Sequence, residues 1–331
     1  KHTGEVTCVA LAPDGSRAVS GQGKQVLIWD CNTGRNIKGL SKHTGAVRRV
    51  AVSPGGDKVV SGSQDMTVMV WDMRGLSHER TLQGHQGVVR GVTIGGGRVV
   101  SCGQDKEVRV WELASGRCEH VLIGHTDDVR GVSAASDGRL AASCSFDKTV
   151  RVWDLVTGQE VSAMEGHTDK VFGVAMAGDG NTVVSCSWDM SVRVWDVLSR
   201  EAVGSPMKAP SQPGSTGSIA SVGSVGSAMS VAMKRLAMTG HEKEVLDVAI
   251  TSDGGRAVSG SVDGTVRVWD VRSGEQLAKC QGHSDWVMGV AVTPNGSLAA
   301  SGGRDGTLRL WTMSGKEVRK TAQWAWAAWA R

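Results

Sequence analysis

The sequence predicts an all-β repeat fold: seven four-stranded antiparallel sheets in one chain of 331 residues. Three observations predict it. Seven histidines are each followed, 26 to 28 residues later, by a tryptophan: His2 and Trp29, His43 and Trp71, His85 and Trp111, His125 and Trp153, His167 and Trp195, His241 and Trp269, His283 and Trp311. Five of these tryptophans are followed directly by Asp. Between each pair, apolar residues alternate with period two between Gly- and Asp-rich turns, as in strands. A self-similar unit of about 40 residues marks an architecture whose units bury their apolar faces only against neighbours.

The second unit shows the elements in order. After His43 comes an alternating run, Val47 to Val52, then a turn, Ser53 to Asp57. A second run, Val59 to Ser61, is followed by a tight turn, Ser63 to Asp65, and a third run, Thr67 to Trp71. A polar turn and a weaker fourth run complete the unit. The same order holds in the segment GHTDDVRGVSAASDGRLAASCSFDKTVRVWD, Gly124 to Asp154.

With its GH start and WD end, this segment resembles the repeat of the WD-repeat family of β-propellers, and the resemblance covers residues 1 to about 321. It implies a seven-bladed propeller of four-stranded antiparallel blades, ring closed by the last strand. The run near Glu317 to Thr321 is expected to become the outer strand beside the first unit's three, because propellers of this type leave no sheet edge open.

Six units carry a Ser ten residues before the Trp and an Asp six before it. The sets are His43, Ser61, Asp65 and Trp71; His85, Ser101, Asp105 and Trp111; His125, Ser143, Asp147 and Trp153; His167, Ser185, Asp189 and Trp195; His241, Ser259, Asp263 and Trp269; His283, Ser301, Asp305 and Trp311. A catalytic triad is needed once, so repetition argues against hydrolytic chemistry and for a chain that is not an enzyme. The resemblance implies a buried hydrogen-bonded chain from Trp to Ser to His to Asp in each blade. The first unit departs: its turn is one residue shorter and has Gly23 where the Asp should be, which makes its blade the softest.

Composition adds exclusions. The seven Cys include no CxxC pair, and Cys102, Cys144 and Cys186 share one repeat position as small core fillers, which suits a reducing compartment, cytoplasm or nucleus. No His/Cys cluster has zinc spacing, no Gly-rich phosphate loop opens a helix, and neither a membrane span nor a signal peptide is legible, so no metal or cofactor is expected. The net charge of +4 is small and dispersed over the units, which disfavours nucleic acid as a partner. The sequence lacks an initiator Met, so a piece of a longer protein is expected, a monomeric ring within a larger complex.

Two segments fall outside the repeats. From Trp195 to His241 the gap is 46 residues instead of 14, and its Ser-, Gly- and Pro-rich stretch near 204–234 is expected to be a disordered loop between third and fourth strands. Its Ser215, Ser218, Ser221, Ser224, Ser227 and Ser230 recur every third residue, read either as low complexity or as a phosphorylation ladder. The tail 322–331 carries Trp324, Trp326 and Trp329, read as a partner anchor or an incidental chain end.

The resemblance also implies where partners bind: on the top face, through residues three and five after each His and one before each turn Asp. Position five carries Arg48, Arg90 and Arg130, then Phe172, Leu246 and Met288; the residues before the Asp are Gln64, Gln104, Phe146, Trp188, Val262 and Arg304; Trp286 lies three after its His. Every aromatic outside the blade pattern and the tail, Phe146, Phe172, Trp188 and Trp286, therefore maps to this face. The expected function is a non-enzymatic scaffold binding partner proteins or peptides there, through an acidic or phosphorylated segment beside apolar anchors. The alternatives are a substrate-recognition subunit of a ubiquitin ligase and the sensor domain of a larger signalling protein.

Overall fold

The computed structural model describes residues 6–30, 33, 35–197, 235–293, 296–305 and 307–321; of residues 6, 11, 235, 236, 308 and 318–321 it describes the backbone alone. Among the described residues, twenty-eight strands form seven separate four-stranded antiparallel sheets. The first blade is β1 (Val6–Leu11), β2 (Arg17–Gln22), β3 (Gln25–Asp30) and β4 (Asn36–Ser41); the second β5 (Val47–Val52), β6 (Lys58–Ser63), β7 (Thr67–Asp72) and β8 (Ser77–Gln83). The third is β9 (Val89–Gly95), β10 (Arg98–Gly103), β11 (Val108–Glu112) and β12 (Cys118–Leu122); the fourth β13 (Val129–Ala134), β14 (Leu140–Ser145), β15 (Val150–Asp154) and β16 (Gln159–Met164). The fifth is β17 (Val171–Met176), β18 (Thr182–Ser187), β19 (Ser191–Asp196) and β20 (Arg235–Thr239); the sixth β21 (Val245–Ile250), β22 (Arg256–Ser261), β23 (Thr265–Asp270) and β24 (Gln276–Gln281). The seventh is β25 (Val287–Val292), β26 (Leu298–Gly303), β27 (Leu308–Thr312) and β28 (Glu317–Thr321).

Middle strands bury successive residues on opposite sides because both faces of a blade are covered by neighbours. Val59 and Val60 of β6 are both fully buried, Val59 in the seam toward the first blade and Val60 in the seam toward the third. The repeat Trp of each blade from the second to the seventh fills the seam on the side of the preceding blade, as Trp153 does among Val100, Val110 and Leu155. Six such apolar clusters join consecutive blades from first to seventh.

The closing strand is placed differently from expectation. β28 pairs with β27, completing the seventh blade from its own unit, and the first blade takes its outer strand from β4. The reason is the starting point: β1 is already an inner strand, so every blade collects its four strands in chain order and no outer position is left for a distant strand. The Ser-rich insertion does leave the fifth blade between third and fourth strands, after β19 and before β20; residues 204–234 and the tail 322–331 lie outside the described residues. In the first blade, Gln22 pairs with Gln25 across a two-residue turn in which Gly23 has φ +52°, a left-handed value that favours Gly. Trp29 Nε1 donates to Ser20 Oγ at 2.9 Å, while His2 lies outside the described residues.

Candidate partner-binding face

The loops of the candidate face hang from the six four-residue sets. In the fourth blade, Trp153 Nε1 donates to Ser143 Oγ at 2.8 Å, Ser143 Oγ lies 2.7 Å from His125 Nε2, and His125 Nδ1 lies 2.8 Å from Asp147 Oδ2. The other five sets repeat it: Trp to Ser is 2.8 Å in each, and His Nδ1 to the Asp carboxylate runs from 2.7 to 2.9 Å. A neutral His satisfies the whole chain, with Nδ1–H donating to Asp and Nε2 accepting from Ser. Burial keeps His43, His167, His241 and His283 below the usual histidine range against the pull of the facing Asp, which favours that form.

A further partner was not legible from the sequence reading. Two residues after the Asp, Thr67, Thr149, Ser191, Thr265 or Thr307 donates its hydroxyl to Asp Oδ1 at 2.6 to 2.8 Å. Burial opposes the Asp65 charge, but bonds from Thr67 and His43 outweigh it and hold the carboxyl down to about 2. In the third blade Glu107 takes the hydroxyl position, and His85, Asp105 and Glu107 bring three potential metal-ligand atoms within 4.8 Å of one another. These atoms are committed elsewhere: His85 to Asp105 and Ser101, Glu107 to Arg109 at 2.7 Å.

On this frame each inner strand carries a β-bulge at the fifth position after the His. Register slips between Val47 and Arg49, and at the same place in five other strands, leave Arg48, Arg90, Arg130, Phe172, Leu246 and Met288 outside the ladder. A bulge re-aims the extra residue's side chain, here in every blade at one level. The residue before each Asp is tied to the residue three after the His: Phe146 N donates to Asp128 O at 2.9 Å, Trp188 N to Lys170 O at 3.0 Å and Arg304 N to Trp286 O at 2.7 Å. The turns and the bulges thus converge on one face.

There the structure brings together part of the expected set. Phe146, Phe172 and Trp188 form one cluster across the fourth and fifth blades, with Phe172 stacked on Trp188 at 5.0 Å and Phe146 5.3 Å from Phe172. The Arg130 guanidinium lies 4.6 Å from the Phe172 ring and 5.4 Å from Phe146, and Lys170 Nζ lies 4.6 Å from Phe146 and 5.3 Å from Trp188. Burial, and then the like charge of Arg90, push Arg130 down to about 10, so it remains a cation at neutral pH. Arg130 Nε and Trp188 Nε1 are both buried with no hydrogen-bond acceptor. Arg90 is engaged with Asp128 at 3.3 Å.

Other expected residues stand apart. Trp286 and Arg304 pair on the seventh blade at 4.9 Å, where Arg304 also lies 3.8 Å from Asp285. Met288 is exposed there, Gln64 and Gln104 are exposed on their turns, and Arg48, Leu246 and Val262 are half-buried. Lys170 and Asp128 were missed, although both occupy the position three after the His.

A second arrangement was also missed: at the sixth position after the His, inner strands face the second strand in matched pairs. Gly91 pairs with Cys102, Gly131 with Cys144 and Gly173 with Cys186, while the first blade reverses the order with Cys8 opposite Gly21. A Cβ on Gly91 would lie 2.8 Å from Cys102 Sγ, so each pair has room for one side chain. Burial pushes the Cys144 thiol up to about 12, the behaviour of an inert filler. Arg49 and Asp247, at the same position of the second and sixth blades, approach to 3.8 Å, and Asp247 also accepts from Val290 N at 3.0 Å.

Among the described residues no helix is long and apolar enough to cross a membrane. The family model described as WD domain, G-beta repeat (WD40) matches residues 1–30, 34–72, 76–112, 116–154, 158–196, 233–270 and 274–312. Each match after the first starts one strand early, with the outer strand of the preceding blade. Propellers of this kind typically serve as protein-interaction scaffolds and are generally not catalytic. Seven matches over most of the length, on seven blades of four strands, place this chain in the WD-repeat family of β-propellers.

Proposed function

We propose that the chain is a non-enzymatic scaffold whose loop face binds a partner peptide through an acidic or phosphorylated segment beside bulky apolar side chains. The observation that carries this reading is the Arg130 guanidinium set against the aromatic cluster of the fourth and fifth blades. Arg130 is a half-buried cation with aromatic neighbours and, among the described residues, no ion-pair partner, and its Nε and the Trp188 Nε1 have no acceptor. A buried donor left unpaired costs about 1 to 3 kcal/mol, so a ligand that brings acceptors recovers that cost on binding. Carboxylate and phosphate oxygens are acceptors only and bear the opposite charge. The flanking Phe146 and Phe172 offer an apolar shoulder of the kind that concentrates binding energy. The same site would serve a ubiquitin-ligase substrate reader or a signalling sensor, and the free buried thiols suit an intracellular setting.

Affinity capture from cell extract tests it, with the intact chain beside Arg130→Gln and Trp188→Phe, each with and without phosphatase. Partners lost with Arg130→Gln and weakened by Trp188→Phe, which removes the N–H donor and keeps a smaller aromatic ring, are the expected result. Partners retained by both variants would move the binding site off this face.

A further inference from the structure

Six seams between blades are closed by apolar clusters, but among the described residues none joins the seventh blade to the first. Val9 of β1 is 52% exposed, whereas Val50, Val92, Val174 and Val248 at the same repeat position are 3 to 9% exposed. On the facing blade, a Cβ at Gly302 would meet nothing within 4 Å, whereas at Gly62 and Gly260 it would meet the next blade's Val89 and Val287 at 2.6 and 2.7 Å. The seventh blade is also the one whose matched pair, Gly289 opposite Gly302, holds no side chain at all. On the loop face of the seventh blade, Trp286 and Met288 are exposed. Grouped apolar exposure of this kind marks a docking surface.

We propose that the segment 322–331 of this chain occupies the seam, its tryptophans supplying the apolar volume that the seventh blade lacks. Strand order fixes where that segment begins. Antiparallel pairing brings the end of β28 to the loop face, where β8 and β24 pass through Gly84-His85 and Gly282-His283 over a seam to the next inner strand. Thr321, the end of β28, therefore lies on the loop face beside the open seam, and the segment 322–331 follows it in sequence. Its composition fits: Trp324, Trp326 and Trp329 alternate with five Ala, and a buried Trp removes roughly 150 to 250 Å² from water.

Hydrogen exchange tests the proposal, comparing the full chain with a chain ending at Thr321 and with the triple variant Trp324→Ser, Trp326→Ser, Trp329→Ser. The expected result is exchange in β1, β25 and β26 at least about tenfold faster in both altered chains, with β13 and β14 unchanged as internal reference. Where truncation prevents folding, a full-length chain carrying Val9→Cys and Ala327→Cys is expected to form an intramolecular disulfide on oxidation. Unchanged exchange in β1 and β25, or no disulfide, would overturn the proposal. So would protection that grows with protein concentration, which would give the seam to a second copy.

Discussion

At the scale of single residues, repetition turns a hydrogen-bond chain into a stability device. Truncating Ser143 to Ala leaves both Trp153 Nε1 and His125 Nε2 without their partner in a fully buried site, a loss of about 1 to 3 kcal/mol. Urea unfolding of Ser143→Ala is expected to show that loss, with a smaller one for Ser20→Ala in the blade without the turn Asp. These sets also give the protein its pH response. His43, His167, His241 and His283 are held below the usual histidine value of 6.5, so the unfolded chain takes up protons first as pH falls. Their contribution is complete above pH 6.5 and declines below it; Asp65, lowered from 3.8 to about 2, adds a second decline below pH 4. The urea midpoint is expected to be level from pH 8 to 7 and to drop between pH 6.5 and 5. A midpoint that rises on acidification would mean that the histidines are charged when folded.

At the scale of the element, period-two alternation and turn residues made all four strands of each unit legible, because register in a sheet buried on both faces is set by the apolar pattern. Pairings between strands were less legible. The recurrence of Cys102, Cys144 and Cys186 was visible, but not that each is matched by a Gly on the neighbouring strand, since the pairing depends on a bulge that shifts register by one residue. The matched pairs predict an exchange. Gly131→Cys alone overfills the site, where a Cβ would meet Cys144 Sγ at 3.2 Å, and is expected to cost about 1 to 3 kcal/mol. Adding Cys144→Gly recreates the order of Cys8 and Gly21 in the first blade and is expected to restore most of the loss in a double-mutant cycle. Additive losses would contradict the pairing.

At the scale of the whole molecule, the ring was legible from seven spacings, whereas its closure was misjudged. The expectation of a clasping strand followed from the resemblance; the position of β1 as an inner strand decides otherwise. The candidate face was legible in part for a related reason. A residue's place in the repeat locates its Cα, and so Phe146, Phe172, Trp188 and Arg130 were all read onto one face. Which of them touch depends on neighbouring blades: Phe172 of the fifth reaches Phe146 of the fourth, while Trp286 stays on the seventh beside Arg304. The arginines at position five, Arg48, Arg90 and Arg130, are accordingly less uniform than the sequence implies, since Asp128 pairs with Arg90 at 3.3 Å while Arg130 rests against aromatic rings.

The central claim is that Arg130 and its aromatic cluster read an anionic, acceptor-rich peptide. The most direct measurement is binding of the purified chain and of Arg130→Gln to a peptide array printed in phosphorylated, glutamate-substituted and unmodified forms. The account predicts binding to phosphorylated or acidic peptides with a neighbouring bulky apolar residue, weakened at least about tenfold by Arg130→Gln, a change of about 1.4 kcal/mol. Equal binding of the same peptides by both proteins, or a preference for unmodified peptides, would contradict it.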